Sequence, residues 1–386
     1  MDFVLACDIM LDLEGSIRPA LYLAEGLVEK GYKISMVSPI ISRNVENYLN
    51  AKGIKPINLR VKLFAENFGL SFLWLEIWAR EAFLGLNSRH TNYCSCIAIN
   101  FSHTMNLPTL FWYLQGPTSA ALKDMERELT TSYKYAYKIL KPIIERVDLE
   151  LVRRISCNSA FAVANSKFCA SLYSKWGIKI ETIIYPPVDC RVFHPTTSNP
   201  SEDYVLTYFG KETAFSVVKA IADKGVKIKA FGSKMPFVPK SVINHPNIDY
   251  LGRLSVSQLV NAYSNALFTL FTFTHEPFGY IPVESMACGT PTLTYDAQGP
   301  RESIVDGYTG WLVESDVEMI GKAVELWKKG IDSNFRCRCR KEALKFDKKV
   351  YLEKWLKFIA NSKVKLCRTF KNGVLRFENF SEICFE

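Results

Sequence analysis

The chain has 386 residues, 48% hydrophobic and 13% aromatic, more than one ordinary core requires and too apolar for a disordered segment. It contains no run of about 18 apolar residues, which argues against a membrane-spanning helix. The net charge of +9 sits entirely at the end, because residues 1–327 hold 32 basic and 32 acidic side chains and residues 328–386 hold 16 and 7.

The first segment, MDFVLACDIMLDLEGS, is an apolar run broken by Asp8 and Asp12, and it reads as a buried strand, Phe3–Cys7, and not as a secretory leader. A glycine turn with Gly15 and Ser16, a helical pattern from Ile17 to Lys30 and a strand at Lys33–Val37 complete a βαβ unit whose turn exposes backbone N–H groups. The turn lacks G-x-G-x-x-G, which argues against a dinucleotide-dependent oxidoreductase. LSFLWLEIWAREAFLGL, 70–86, carries Glu76, Arg80 and Glu81 and reads as a core helix in preference to an interfacial one. Strands are expected at Cys96–Asn100, Thr109–Tyr113, Phe161–Ala164 and Thr182–Tyr185. The last runs into YPPVD, where two prolines stiffen the backbone.

TTSNPSED, 196–203, consists of turn formers and charges and marks a domain boundary, giving domains at 1–195 and 196–335. The second half restarts with a strand at Tyr204–Phe209, then Gly210-Lys211, a helical stretch to Asp223, a strand at Val226–Phe231 and Gly232-Ser233-Lys234. Alternating strands and helices in both halves predict an α/β protein of two Rossmann-like domains facing each other across a cleft, with ligand at the carboxyl ends of the strands.

The segment HEPFGYIPVESMACG, 275–289, places Glu276 and Glu284 eight positions apart after the strand-like run Ala266–Phe273. Pro282 suits the first position of a short helix closed by Gly289. The amides near Gly279 and Tyr280 would then form an N-terminus suited to an anion or to sugar hydroxyls. Glu284, in the first turn, would accept two hydrogen bonds from a vicinal diol, and Glu276, stiffened by Pro277, would reach a second hydroxylated group. The structural alternative is that both acids cap the helix and pair with bases such as Arg301.

Eleven cysteines without a C-x-x-C pair argue against a zinc site or a disulfide scaffold; the pairs Cys94/Cys96 and Cys337/Cys339 read as ordinary thiols of a reducing interior. In the basic end, Lys341, Lys345, Lys348 and Lys349 fall on one face of an expected helix over 336–362, with Leu344, Leu352, Trp355, Leu356 and Ile359 on another. That basic face is either a solvated helix back or a contact for an anionic membrane surface. No recognition motif points to nucleic acid. The tail, 363–386, resembles nothing identifiable.

HEPFGYIPVESMACGTPTLTYDAQGPRESIVDGYTGWLV, 275–313, resembles the E-x(7)-E block of the retaining glycosyltransferases of family 4, which have the GT-B fold. EGSIRPALYLAEGLVEKGYKISMVSP (14–39), VANSKFCASLYSKWGIKIETIIYPPVDCRVFHP (163–195) and YLGRLSVSQLVNAYSNA (250–266) resemble further parts of the family, especially archaeal and eukaryotic members that extend lipid-linked oligosaccharides with mannose or glucose. The resemblance spans roughly residues 1–330.

It implies that Glu276 and the backbone of Pro277, Phe278, Gly279 and Tyr280 hold the transferred sugar, that Glu284 binds the nucleotide ribose, and that Lys211, beside Gly210, neutralises the diphosphate. Gly15 and Ser16 amides would add to that, and Arg253 falls where the base is contacted. A second family base is replaced by Val217, leaving Lys219 or Lys234 to substitute. Many relatives have a histidine where LFWYLQGPTSA has Gln115; a glutamine donates a hydrogen bond but is neither acid nor base, and His103 is the alternative.

The implied activity is metal-independent, retaining hexosyl transfer from a nucleoside diphosphate sugar to a glycan, lipid-linked or polysaccharide hydroxyl, with no cofactor. A cytoplasmic location, peripheral to the membrane, is expected. The alternatives are a non-catalytic sugar-nucleotide binder or another GT-B enzyme, a phosphorylase or a nucleotide-sugar epimerase.

Overall fold

The computed structural model describes residues 2–13, 15–64, 70–85, 96–125, 131–210, 212–232, 238–273, 275–362, 369–371 and 374–376. Internal contacts divide the chain into two units: Met1–Ala120, Lys138–Pro187 and Lys348–Glu386 form one, and Ala121–Tyr137 with Val188–Asp347 the other.

The first half of the chain runs β1 (Asp2–Ala6), α1 (Arg18–Glu29), β2 (Lys33–Ser38), α2 (Arg43–Ala51), β3 (Ile54–Asn58), α3 (Leu70–Leu84), β4 (Cys96–Asn100), β5 (Thr109–Leu114), α4 (Thr118–Met125), α5 (Thr131–Cys157), β6 (Ser159–Ala164), α6 (Lys167–Ser174) and β7 (Ile180–Ile183). Its strands pair in parallel in the order β3-β2-β1-β4-β5-β6-β7. All six residues of β5, TLFWYL, are buried, as expected of a parallel strand covered by helices on both faces. Pro56 is accommodated because β3 lies at the sheet edge.

The second half runs β8 (Val205–Tyr208), α7 (Phe215–Asp223), β9 (Ile228–Phe231), α8 (Lys240–Ile243), β10 (Ile248–Gly252), α9 (Val256–Asn265), β11 (Thr269–Phe271), α10 (Tyr280–Ala287), β12 (Thr292–Tyr295), α11 (Pro300–Ser303), β13 (Gly310–Val313), α12 (Asp316–Lys329), α13 (Asn334–Ala343) and α14 (Lys348–Asn361). The order is β10-β9-β8-β11-β12-β13, again parallel. Each sheet therefore reverses its winding beside its first strand, between β1 and β4 and between β8 and β11, and such switch points open a crevice at the carboxyl ends of the strands.

Two expectations need correction. The run Ala266–Phe273 yields only a three-residue strand, because the Ala266 N–H closes α9 on the Tyr263 carbonyl at 3.2 Å and Phe273 leaves the ladder to bridge Thr213. The basic stretch expected as one helix is two, α13 and α14, separated by a 3-10 turn at Leu344–Phe346, so its four lysines share no single helical face.

Within unit one, α14 lies against α1: the Tyr351 hydroxyl donates to the Pro19 carbonyl at 3.1 Å, and Leu352 packs where Gly26 has no side chain. Trp355 is fully buried among Phe101, Phe111 and Tyr113, with ring centroids 6.0, 6.0 and 5.8 Å away. In unit two, α13 satisfies carbonyls. The Arg336 guanidinium donates to those of Ser264 and Ala266 and pairs with Glu202 at 2.8 Å, and Arg340 donates to Cys190, Phe193 and Ala287. Part of the basic excess of the C-terminal region is thus consumed internally.

Candidate functional site

At the switch point of unit two, the loops after β8 and β11 lie side by side. An ideal Cβ on Gly210 would stand 2.8 Å from Phe273 and from Tyr208, so only glycine leaves both rings in place. The Gly210 N–H donates to Thr213 Oγ1 at 2.9 Å, and Thr213 bridges Phe273. Lys211 and Lys234 lie outside the described residues.

Glu276 is held at both ends of its backbone by the loop after β12. Its N–H donates to the Gln298 side-chain oxygen, and its carbonyl accepts the Gly299 N–H at 2.9 Å. Gln298 adopts a left-handed φ of 56° to make this contact. Gly299 lies so close that a Cβ would stand 2.4 Å from the backbone of Pro277 and Phe278. Both residues escaped sequence reasoning about the site; the only signal was the GPRE motif downstream of the acids.

The Glu276 carboxylate turns back on its own loop, where Oε1 accepts the N–H of Gly279 at 2.9 Å and of Phe278 at 3.4 Å. Burial raises its carboxyl above the ordinary range; His275 and those two N–H groups oppose the rise, and Glu212 adds to it. The amides expected to face a ligand are therefore occupied by Glu276 in this structure. Gly279, with φ of 94°, is the N-cap of α10, a conformation glycine supplies without strain. Phe278 is buried, with its ring 5.3 Å from Tyr280 and 5.7 Å from Phe346.

α10 begins two residues before Pro282, which occupies the third helical position instead of the first. That is permissible because none of the first four N–H groups of a helix has an intrahelical acceptor. Glu284 is consequently the fifth helical residue and not in the first turn; it is 3% exposed, and the Tyr263 hydroxyl donates to its Oε2 at 3.4 Å. Arg301 pairs with Asp296 at 3.0 Å. Arg253 is exposed just beyond Gly252, at the end of β10.

A cavity of about 470 Å³ opens at the carboxyl ends of β12 and β13, lined by Phe273, Tyr295, Asp296, Arg301, Glu314 and Asp316 among others. It contains none of the site residues expected from the sequence.

In unit one, Gly15 and Ser16 are exposed in a 3-10 turn leading into α1, with Gly15 at φ of 67°. The Gln115 amide donates to the Phe101 carbonyl at 3.0 Å. His103 donates its backbone N–H to Asp8 Oδ2 at 3.2 Å, while its ring Nδ1 is buried with no hydrogen-bond partner among the described residues. Asp8 also accepts the Ser102 and Thr104 hydroxyls, the latter at 2.6 Å, and so joins the ends of β1 and β4. Asp148, on α5, is buried and accepts the Ser119 N–H at 2.7 Å and the Trp78 indole at 3.2 Å. Burial raises its carboxyl, against those donors and His103. Asp8 reads in the sequence only as a break in an apolar run, and its role as an anchor depends on a loop 94 residues away.

Residues 240–346 match the family described as Glycosyl transferases group 1. Among curated proteins the chain is similar to the alpha-1,3/1,6-mannosyltransferase alg-2 of Neurospora crassa, 23% identical over 53% of this chain and 53% of the relative. It is also similar to the human alpha-1,3/1,6-mannosyltransferase ALG2, 31% identical over 20% of this chain and 19% of the relative. The chain thus spans about half the length of the first relative and about a fifth of the second. Among solved structures it is similar to Anabaena HepE in complex with UDP and glucose, with a TM-score of 0.64 at 14% identity over 93% of this chain and 99% of the other. WaaG, a glycosyltransferase involved in lipopolysaccharide biosynthesis, gives 0.63 at 13% identity over 93% and 100%. Both the expected resemblance and the GT-B fold are borne out.

The matched segment contains Arg253, the Glu276–Tyr280 loop, Glu284 and the loop with Gln298 and Gly299. Gly15, Ser16, His103, Gln115 and Gly210 lie before it. Among the described residues, no group of three or more His, Cys, Asp or Glu side chains is arranged to hold a metal ion, and no helix is long and apolar enough to cross a membrane.

Proposed function

We propose that the protein is a glycosyltransferase that moves a hexose from a nucleoside diphosphate sugar to a hydroxyl of a glycan, lipid-linked or polysaccharide acceptor, with retention of configuration and without a metal or resident cofactor. The observation that carries this reading is the switch point of unit two, where the Gly210 loop, the amide-rich bend at Glu276–Gly279 and the start of α10 meet. The similar proteins, which include mannosyltransferases and one solved in complex with UDP and glucose, support the same substrate class.

As the nucleoside diphosphate departs, negative charge gathers on its phosphates and the sugar becomes oxocarbenium-like. Lys211 and the N-terminal amides of α10 meet that charge. Glu276 exchanges the amides it now caps for sugar hydroxyls, which frees those N–H groups for the ligand. Glu284, nearly withdrawn from water, accepts the ribose hydroxyls strongly. The chain contains no D-x-D, so in this reading the diphosphate is neutralised by lysine and amides. Gly15, Ser16, Arg253, Gln115 and His103 enter on the resemblance.

The test is a panel of UDP-, GDP- and ADP-sugars: the true donor raises the melting temperature, and nucleoside diphosphate is released only when acceptor is added, which separates transfer from phosphorolysis or epimerisation. Lys211→Ala should lower turnover by about a hundredfold or more with the melting temperature unchanged; a near-normal rate removes that residue from the role. The Gln115 amide, already given to the Phe101 carbonyl, favours a second reading, a sugar-nucleotide binder without catalysis. Thermal stabilisation by a donor with no release to any acceptor would support it.

A further inference from the structure

We propose that the N-terminal half of α5 is a docking face for an anionic lipid surface. Of fourteen exposed large apolar side chains among the described residues, eight fall within 64–84 or 135–143. These segments hold α3 and the start of α5, and α3 packs on the later part of α5 through the Trp78 indole on Asp148 and the Arg154 guanidinium on the Ala82 carbonyl.

The face of α5 that points away from the sheet changes character along its length. Its inner residues, Asp148, Leu151, Val152 and Ile155, are buried, which defines the outer line at helical spacing as Ile139, Ile143, Arg146, Glu150 and Arg153. The C-terminal part of that line is charged, as a solvated helix back should be. The N-terminal part is not: Ile139 is 76% exposed, Ile143 58%, and Leu140 beside them 48%. Single exposed aliphatics need no explanation, but these three adjoin one another, and a contiguous apolar patch marks an interaction surface.

The flanking charges identify the cover. Lys138 and Arg146 are exposed and Lys141 is half-buried, against one acid, Glu145, in the same stretch. Long basic side chains bordering an apolar stripe extend their charges outward while the stripe sinks into the acyl boundary, the composition of a helix lying in the plane of a membrane surface. Anionic head groups complement the lysines, and a neutral surface would not. The basic C-terminal region, read from sequence as either a solvated helix back or such a contact, carries no such stripe among the described residues: its apolar residues Trp355, Tyr351 and Ile359 are buried in unit one.

The test is co-sedimentation of the full chain with vesicles of phosphatidylcholine alone and of phosphatidylcholine mixed with phosphatidylglycerol. The native protein should sediment with the anionic vesicles and much less with the neutral ones. The double variant Ile139→Asp/Ile143→Asp should lose roughly tenfold or more of that partition, with circular dichroism and melting unchanged because both positions are exposed. Lys138→Glu/Lys141→Glu should lose it on anionic vesicles too, whereas Lys345→Ala/Lys349→Ala should keep it. Equal sedimentation of the isoleucine variant and the native chain overturns the proposal. So does a native chain that ignores both vesicles and forms a dimer that the isoleucine variant dissolves, which would assign the face to a second copy. No sugar nucleotide is present in the assay, so its failure leaves the transferase reading standing.

Discussion

Glu276 carries opposing influences on a single carboxyl, and their sign makes a prediction. Burial raises its affinity for a proton more than His275 and the Gly279 and Phe278 amides lower it, so the folded chain binds that proton more tightly than the unfolded one. Stability therefore declines as pH rises from about 4.3, the ordinary glutamate value, through the raised one, and the cost stays in full above it. Glu276→Gln keeps an oxygen to accept the Gly279 N–H but cannot ionise. Its melting temperature should match the native protein near pH 4 and exceed it increasingly towards neutral pH, while transfer falls about a hundredfold or more. A difference in melting temperature that does not vary with pH would contradict the assignment. The pair of acids was legible from its spacing and the proline and glycines around it. Gln298 was not, because it acts from 22 residues away through a left-handed backbone that no local propensity favours.

Elements were legible where periodicity and turn chemistry agreed, and less so where tertiary contacts set the ends. The alternation of strands and helices gave both parallel sheets, yet the start of α10 was misplaced by two residues because Pro282 is tolerated anywhere in a first turn. β11 came out shorter than its apolar run because Ala266 and Phe273 had other partners. The β12 loop braces the Glu276 loop through Gln298 and through Gly299, and the backbone of Gly299 has an ordinary φ of −65° where it lies against Pro277 and Phe278. Its absence of a side chain serves close approach and not conformational freedom. Gly299→Ala should thus lower stability by about 1–3 kcal/mol, as overpacking does, and weaken donor binding with it. Denaturant titration reads the first effect and the thermal shift with donor sugar the second. An alanine variant with native values in both would show that the loops are not in register as described.

At the scale of the molecule, unit one is assembled from both ends of the chain. Trp355 belongs to a helix that begins 161 residues after Pro187, where the rest of that unit ends, and it fills the space under Phe101, Phe111 and Tyr113. The pattern of α14 in the sequence names an apolar face but no partner for it. Trp355→Ala should cost about 3–5 kcal/mol, and calorimetry should show the loss in unit one, with the transition of unit two retained. A single transition shifted as a whole would show instead that the units melt together.

That discontinuity sets an order of events during synthesis. A chain emerging from the ribosome completes everything needed for the second sheet before it releases α14, so the unit begun first is finished last. Until then the aromatic floor of its sheet faces solvent, and nascent chains stalled just short of Lys348 should be the ones that chaperones retain.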